Sequence, residues 1–403
     1  MTSLTTYPTT SLTMATDVIP ELSGALGDHR PDRMRLAGVD LLAGASPDGP
    51  VSLDQHRLRW SGQPLLSAPG LAACADTAGV VGAGGAAFPT HRKLTSLAGR
   101  RVTRVVVNGS EGESASAKDS ALLRLNPHLV LDGAWAVTHA LGAETTVIVI
   151  PADRSADIAA VSRAIAERDD AVHWMVSTHT GGFVAGEASA VINSISGGDA
   201  VPADLGRPPR DPRSRLRRGH VFLSNTETFA RLALATRGRM MTTALTTVSG
   251  AVSAPGVYEV PTSWSIADLA TIAGLTGTPR YLILGGWQGT WLPWPHVAHT
   301  ALHRDAIAAS GGRWGVGSFV WLPENLDPRH TLHSIVSYLA QESAGQCGPC
   351  VHGLPELARA LQNPGTDIDS LLESLDGRGL CGHPTATAAT VRSALTAIGK
   401  EQR

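Results

Sequence analysis

The stretch 102-VTRVVVNGSEGE-113 decides the fold of the region around it. Residues 102–107 read as a buried strand, because β-branched Val dominates the run and stiff, branched side chains suit a packed pleat. The strand stops at Asn108 and a polar loop, Gly109-Ser110-Glu111-Gly112-Glu113. Working outward, the spacing of Leu129, Ala134, Val137 and Leu141 predicts a helix over 127–141, with Gly142 as its C-cap. Residues 145–150 (TTVIVI) are a second strand bounded by Pro151. A helix over 155–168 and a strand over 172–177 follow, and then a helix over 186–196 stopped by Gly197-Gly198. Strand and helix alternate, which predicts a parallel, doubly wound α/β sheet. Ligands of such sheets bind beyond the carboxyl ends of the strands, where Asn108, Glu111 and Glu113 fall. An Asn amide can donate and accept at a ring edge, and two carboxylates can accept from sugar hydroxyls. The competing reading of two glutamates alone is a solvated acidic turn.

The texture changes after residue 238. The segment TTVSGAVSAPGVYEVP reads as two short strands joined at Ala254-Pro255-Gly256. A helix beginning near Ser265 and the strand RYLILGG complete a compact β-grasp-like pattern. Trp287, Trp291, Trp294, Trp314 and Trp321 read as packing in this β-rich region. From 329 to 403 the signal is helical, with Cys347, Cys350 and Cys381 between helices. No fixed-period repeat is visible. The expected division is therefore a disordered N-terminus over 1–20, an α/β domain over 21–238, a β-grasp domain over 239–325 and a helical domain over 326–403.

The bulk composition narrows the function classes. A chain of 403 residues with 43% hydrophobic content can bury a sizeable core in two or three domains. A net charge of −2 excludes a bulk polyanion partner such as nucleic acid. No run approaches the roughly 20 apolar residues of a membrane span. The N-terminus, rich in Ser, Thr and Pro, lacks the basic and apolar regions of a secretory signal. A cytoplasmic protein is expected, and its four cysteines then favour a metal site over disulfides. Cys74, away from the other three, reads as a small buried hydrophobe.

Two more segments carry candidate chemistry. In Gly82-Ala83-Gly84-Gly85-Ala86-Ala87-Phe88-Pro89-Thr90, glycines let the backbone approach a ligand and aim N–H groups at an anion. Lys93 adds a point charge for a phosphate. A plain surface turn is the alternative. Arg207, Arg210, Arg213, Arg215, Arg217 and Arg218 fall in one Pro-rich segment. It reads as a solvated face, as a holder of nucleotide phosphates, or as a dock for an acidic electron-transfer partner.

The glycine-rich loop, the Asn-Glu-Glu loop, the run Gly181-Gly182-Phe183-Val184-Ala185-Gly186-Glu187 and the run Ser224-Asn225-Thr226-Glu227-Thr228 occur in one order. In this ordered set, from about residue 75 to the C-terminus, the chain resembles the flavoprotein subunit of NADH:quinone oxidoreductase (complex I), with its hydrogenase and formate dehydrogenase relatives. Ala83, where the respiratory proteins have Arg, and Asn108-Gly109 resemble the electron-input subunit of the Rnf complex. The resemblance implies an FMN domain, a soluble-ligand-binding β-grasp domain and a helical iron–sulfur domain. It implies that Gly82, Gly84, Gly85, Lys93, Asn108, Glu111, Asn225 and Thr228 line the flavin, and that Gly186 and Glu187 also belong to the cofactor-binding set. Glu113 falls on the nicotinamide side. The flavin supplies the redox chemistry itself, so no catalytic acid–base pair is expected.

Four departures stand out, the mildest being Ser224, which replaces the first Asn of an Asn-Asn pair. Ala188 stands where these proteins have a second carboxylate that helps hold the nicotinamide nucleotide. Arg207-Pro208-Pro209-Arg210 aligns with a stretch whose final Phe stacks on adenine. The cluster motif, Cys-x-x-Cys-x-x-Cys with a distal Cys, keeps Cys347, Cys350 and Cys381, but Ala344 replaces its first ligand. Three thiolates fit a [4Fe-4S] cluster with an exchangeable corner or a [3Fe-4S] cluster, with His352 or His383 as a candidate fourth ligand. Buried thiols packing between helices are the alternative. The expected function is FMN-dependent electron transfer from NAD(P)H or reduced ferredoxin to an iron–sulfur or membrane-bound redox partner. A non-catalytic assembly module that keeps only the fold is the competing class.

Overall fold

The computed structural model describes residues 40–45, 49–203, 219–363 and 365–400. The expected disordered tail and the arginine-rich segment, including Arg207 and Arg210, lie outside these residues. Three helices, Leu53–Arg59, Ala68–Thr77 and Thr90–Leu97, lead into β1 (Val102–Asn108). Then come α1 (Lys118–Leu125), α2 (Pro127–Leu141), β2 (Thr145–Pro151), α3 (Ser155–Ala166), β3 (Trp174–His179), α4 (Ala188–Ser194), β4 (His220–Asn225) and α5 (Thr226–Ala235). The four strands form a parallel sheet in the order β3-β2-β1-β4. Both inner strands carry continuous apolar runs because helices cover both faces.

Local chemistry sets the element ends. Pro127 opens α2, where its missing N–H costs nothing, and Gly142 closes it at φ +61°, as expected for a C-cap glycine. Strand β3 starts two residues later than the sequence suggests. Asp170 accepts from Val172 N and Trp174 Nε1, holding the preceding residues in a turn. The expected helix over 186–196 is a 3₁₀ turn, Phe183–Gly186, followed by the shorter α4. Gly133 brings α2 against α5 so closely that a Cβ there would lie 1.8 Å from Phe229 O.

The second region is a mixed five-stranded sheet in the order β6-β5-β9-β7-β8. It comprises β5 (Thr243–Gly250), β6 (Gly256–Pro261), β7 (Tyr281–Leu284), β8 (Thr290–Pro293) and β9 (Ser318–Leu322), with α6 (Ile266–Ile272) after the β5–β6 hairpin. Ser265 caps α6 reciprocally with Asp268. Strand alternation divides the sheet's residues between two cores. Leu282, Leu284, Phe319 and Trp321 pack with Ile266 and Leu269 of α6. Tyr281, Ile283, Val320 and Leu322 face the other way, onto α7 (Pro328–Gln341), α8 (Leu354–Ala360), α9 (Ile368–Leu375) and α10 (His383–Lys400). The late tryptophans are packing residues, with Trp287, Trp291 and Trp321 buried. No helix among the described residues is long and apolar enough to cross a membrane. Cys74 is half-buried on its helix rather than fully buried.

Candidate functional site

Strand order reverses between β1 and β4, so their carboxyl ends diverge into a crevice. Asn108 and Asn225 end these strands and face one another in register. A cavity of about 590 Å³ opens there, within the range that holds cofactor-sized ligands. Its walls include Gly84, Gly85, Asn108, Glu111, Glu113, Gly186, Glu187 and Asn225. Phe183 and Lys118 line it from the first domain, Gln288 and Arg313 from loops between strands of the second sheet, and Cys381 and His383 from the helical region.

Three residues expected at the ligand stand behind it instead. Gly82 N donates to Phe88 O at 2.9 Å and closes the base of the glycine-rich loop. Thr228 Oγ1 accepts from Ala83 N at 3.0 Å, bracing that loop from α5. Lys93 Nζ donates to Leu223 O at 2.7 Å, and burial lowers its pKa. A lysine tied to a backbone carbonyl is a strut between the helix Thr90–Leu97 and β4, not a free charge at the cavity.

The Asn-Glu-Glu loop is held by its own side chains. Asn108 Nδ2 donates to Gly186 O at 2.9 Å, and its Oδ1 accepts from Ser110 N at 3.1 Å. Glu111 accepts from Ser116 Oγ at 2.6 Å and from Asp119 N and Ser120 N at the start of α1. Glu113 accepts from Ala115 N at 3.1 Å and, across the domains, from Trp287 N at 2.9 Å. Burial pushes the Glu113 carboxyl up to about 7 against these hydrogen bonds. Gly112 and Gly186 interlock the loops, since a Cβ on either would lie 2.4 Å from the carbonyl oxygen of Phe183 or Ser110, respectively. Glu187 caps α4, accepting from Ser189 N at 2.8 Å and Ala190 N at 3.2 Å.

Sequence reasoning missed the buried charges beneath the cavity. Lys118 is 2% exposed and lies 2.9 Å from Asp119 and 3.0 Å from Glu227. Burial works to lower its pKa, but Asp119, Glu227 and Glu111 outweigh burial and raise it. Burial lifts Asp119 to about 6 although Lys118 pulls the other way. Burial would raise Glu227 too, but Lys118 and Arg231 hold it down at about 2. Asn225 is fixed between these charges. Its Nδ2 donates to Asp119, and its Oδ1 accepts from Glu227 N at 3.0 Å and more weakly from Lys118. The signal was available in Lys118-Asp119, a charged pair opening α1 after the Asn-Glu-Glu loop. Gln288 and Arg313 reach in from more than 100 residues away in sequence and have no local signature.

Cys347, Cys350 and Cys381 gather at the turn between α7 and α8 and the start of α10. Burial pushes the Cys350 thiol up to about 12, with Cys347 and Cys381 adding to the shift. Burial raises Cys381 as well, and Cys347 contributes. Clustered thiols that resist ionisation as thiols become favourable ligands once a metal supplies the positive charge. Among the described residues no three Cys, His, Asp or Glu side chains converge on one point as ligands of a single ion. A cluster does not ask for that, because each thiolate binds a different iron. His383 is already committed: Nε2 donates to Leu339 O at 2.7 Å and Nδ1 accepts from Gln288 Nε2 at 3.0 Å. It is therefore a structural residue and not a free fourth ligand. His352 is exposed on the cysteine turn.

Residues 75–234 match the Nuo51 FMN-binding domain, and residues 330–402 match the NADH-ubiquinone oxidoreductase-F iron-sulfur binding region. The F 2 subunit of the NADH-quinone oxidoreductase of Rhizobium meliloti is 25% identical over 355 residues, covering 78% of this chain and 83% of the relative. The F subunit of the NADH-quinone oxidoreductase of Salmonella typhimurium is 26% identical over 401 residues, covering 87% and 89%. Among solved structures, an NAD+-reducing [NiFe]-hydrogenase in the air-oxidized state superposes with a TM-score of 0.73 at 24% identity. The match covers 83% of this chain and 62% of the hydrogenase chain.

Proposed function

We infer the function of this chain from the family to which it belongs, the FMN- and iron–sulfur-binding F subunits of NADH-quinone oxidoreductase. The chain is an electron-transfer oxidoreductase subunit. The observation that carries this reading is one cavity lined both by the strand-end loops of the first domain and by Cys381 of the cysteine cluster. Flavin and cluster residues share a wall, which is what transfer between them needs.

FMN bound in the cavity would supply the two-electron and one-electron chemistry. The residues present fit it. Gly84 and Gly85 would present backbone N–H groups to the phosphate, and Gly84 leaves room for close approach, since a Cβ there meets only Asn225 Cβ at 3.6 Å. Glu111, Glu113 and Glu187 would orient hydroxyls and ring edges, while the Lys118–Asp119–Glu227 network fixes the floor. Cys347, Cys350 and Cys381 would hold a [4Fe-4S] or [3Fe-4S] cluster with one corner lacking a cysteine. We assign residues 21–238 to the FMN domain, 239–325 to a β-grasp domain and 326–403 to the iron–sulfur domain. The hairpin–helix order and mixed sheet support the β-grasp reading. The donor is NAD(P)H or a reduced ferredoxin, and the acceptor is an iron–sulfur protein of a cytoplasmic assembly, with or without a membrane-bound partner. Ala188, at the first position of α4, leaves Glu187 as the one carboxylate there and argues for weak NADH binding.

The test is stoichiometric FMN in the purified protein and its loss in Gly84→Val. A Cβ is sterically acceptable at 84, so this variant blocks the ligand and spares the fold. Full flavin retention in folded Gly84→Val would exclude the cavity as the flavin site.

A further inference from the structure

Glu342 caps the C-terminus of α7, two residues before Ala344 and five before Cys347. Its carboxylate crosses into the first domain. Glu342 Oε2 accepts from Phe183 N at 2.7 Å, over a sequence separation of 159 residues. It enters where residue 182 has no side chain, because a Cβ on Gly182 would lie 2.0 Å from Oε2. The backbone so held aims Phe183 into a wedge. Its ring meets Tyr338 of α7 edge-on at 6.2 Å and His383 of α10 at 5.4 Å. His383 is two residues from Cys381 and is pinned to Leu339 O and Gln288. Phe183, Cys381 and His383 all line the large cavity. The wall of the cavity and the helix ends that carry the cysteines are thus one hydrogen-bonded and ring-packed unit.

We infer that Glu342 is a positioning residue that couples ligand binding in the cavity to cluster binding at Cys347, Cys350 and Cys381. The inference rests on the flavin and cluster reading above. Seating a cluster orders the turn after Glu342, which holds the Gly182–Phe183 backbone and the cavity wall in the ligand-binding arrangement. Coupling of this kind is reciprocal, so flavin also favours the cluster. No charge at the cysteines is needed for it; the connection is the hydrogen bond and the rings.

The experiment is an FMN titration, read by quenching of FMN fluorescence, on the full chain under anaerobic conditions. It is done on iron-free protein and on protein reconstituted with iron and sulfide. The wild type is expected to bind FMN about five- to tenfold more tightly after reconstitution, the low end of usual coupling between sites. Glu342→Ala brings that ratio to about one. Glu342→Gln restores most of it, because its amide oxygen still accepts from Phe183 N. Should Glu342→Ala fail to fold, Gly182→Ala attacks the same contact from the other side and must lose the ratio likewise. A wild-type ratio of one with FMN bound overturns the inference and leaves the function standing. So does a ratio that survives in folded Glu342→Ala or Gly182→Ala. A wild type that binds no FMN overturns the proposed function and the coupling with it.

Discussion

Ala87 is the one non-glycine with positive φ among the described residues, at +51°. It lies in the glycine-rich loop, two residues past Gly85, which also has positive φ. A left-handed conformation costs an L-residue roughly 1–2 kcal/mol, and glycine avoids that cost. Glycine also gives the unfolded chain more freedom to lose, roughly 0.5–1 kcal/mol. The difference makes Ala87→Gly stabilising by about 0.5–1 kcal/mol, or about 1–4 °C in the melting of a domain of this size. Ala86 has no such backbone strain, so Ala86→Gly pays only the entropy and is destabilising by a similar amount. The assay is thermal melting of the flavin-free chain followed by circular dichroism, with the two variants side by side. Opposite signs are expected. Equal destabilisation by both would refute the reasoning, because it would mean that the loop does not hold residue 87 in the left-handed region.

Ala188→Glu should tighten NADH binding and speed flavin reduction by NADH, and combined with Arg210→Phe the gain should reach about 1–3 kcal/mol, the usual worth of base stacking. Rapid reduction of the wild-type flavin by micromolar NADH would contradict the premise. Ala344→Cys should make the cluster persist longer in air, since each iron then has a thiolate, and unchanged loss of iron on oxygen exposure would argue against Ala344 facing the cluster. The Glu113 carboxyl titrates at about 7 in the folded chain, against 4.5 for an ordinary glutamate, so its contribution to stability is full below about 4.5 and is lost as pH rises through about 7. Glu113→Gln should remove a pH-dependent contribution of order 1–3 kcal/mol across that window, and urea midpoints whose pH dependence matches the wild type would show that the carboxyl is not held this way.

The parallel sheet was legible because its signals are local. Val-rich runs gave β1 and β2, and Pro127 with Gly142 gave α2 to the residue. The end of the sheet where the cavity opens followed from strand polarity alone. The roles of individual side chains were less legible, because a side chain's partner is a tertiary fact. Lys93 looked like a free cation, and only the approach of Leu223 O shows that it is a strut. Glu187 looked like a ligand contact and also caps a helix. His383 looked available to iron until Leu339 O and Gln288 took both ring nitrogens. The contact from Glu342 to Phe183 leaves no trace in periodicity or composition.

The large cavity takes its walls from residues between Ala83 and Ala386, about three-quarters of the chain. Strand β4 must pair with β1 across more than 100 residues before the crevice exists at all. A chain growing on the ribosome therefore cannot close this cavity until α10 has emerged. Domains fold from the N-terminus during synthesis. The first domain would then wait with its strand ends open, and a ligand of the cavity would be enclosed only after α10 arrives. Premature termination anywhere before α10 leaves a protein that has made its parallel sheet and still has no closed place to keep a flavin.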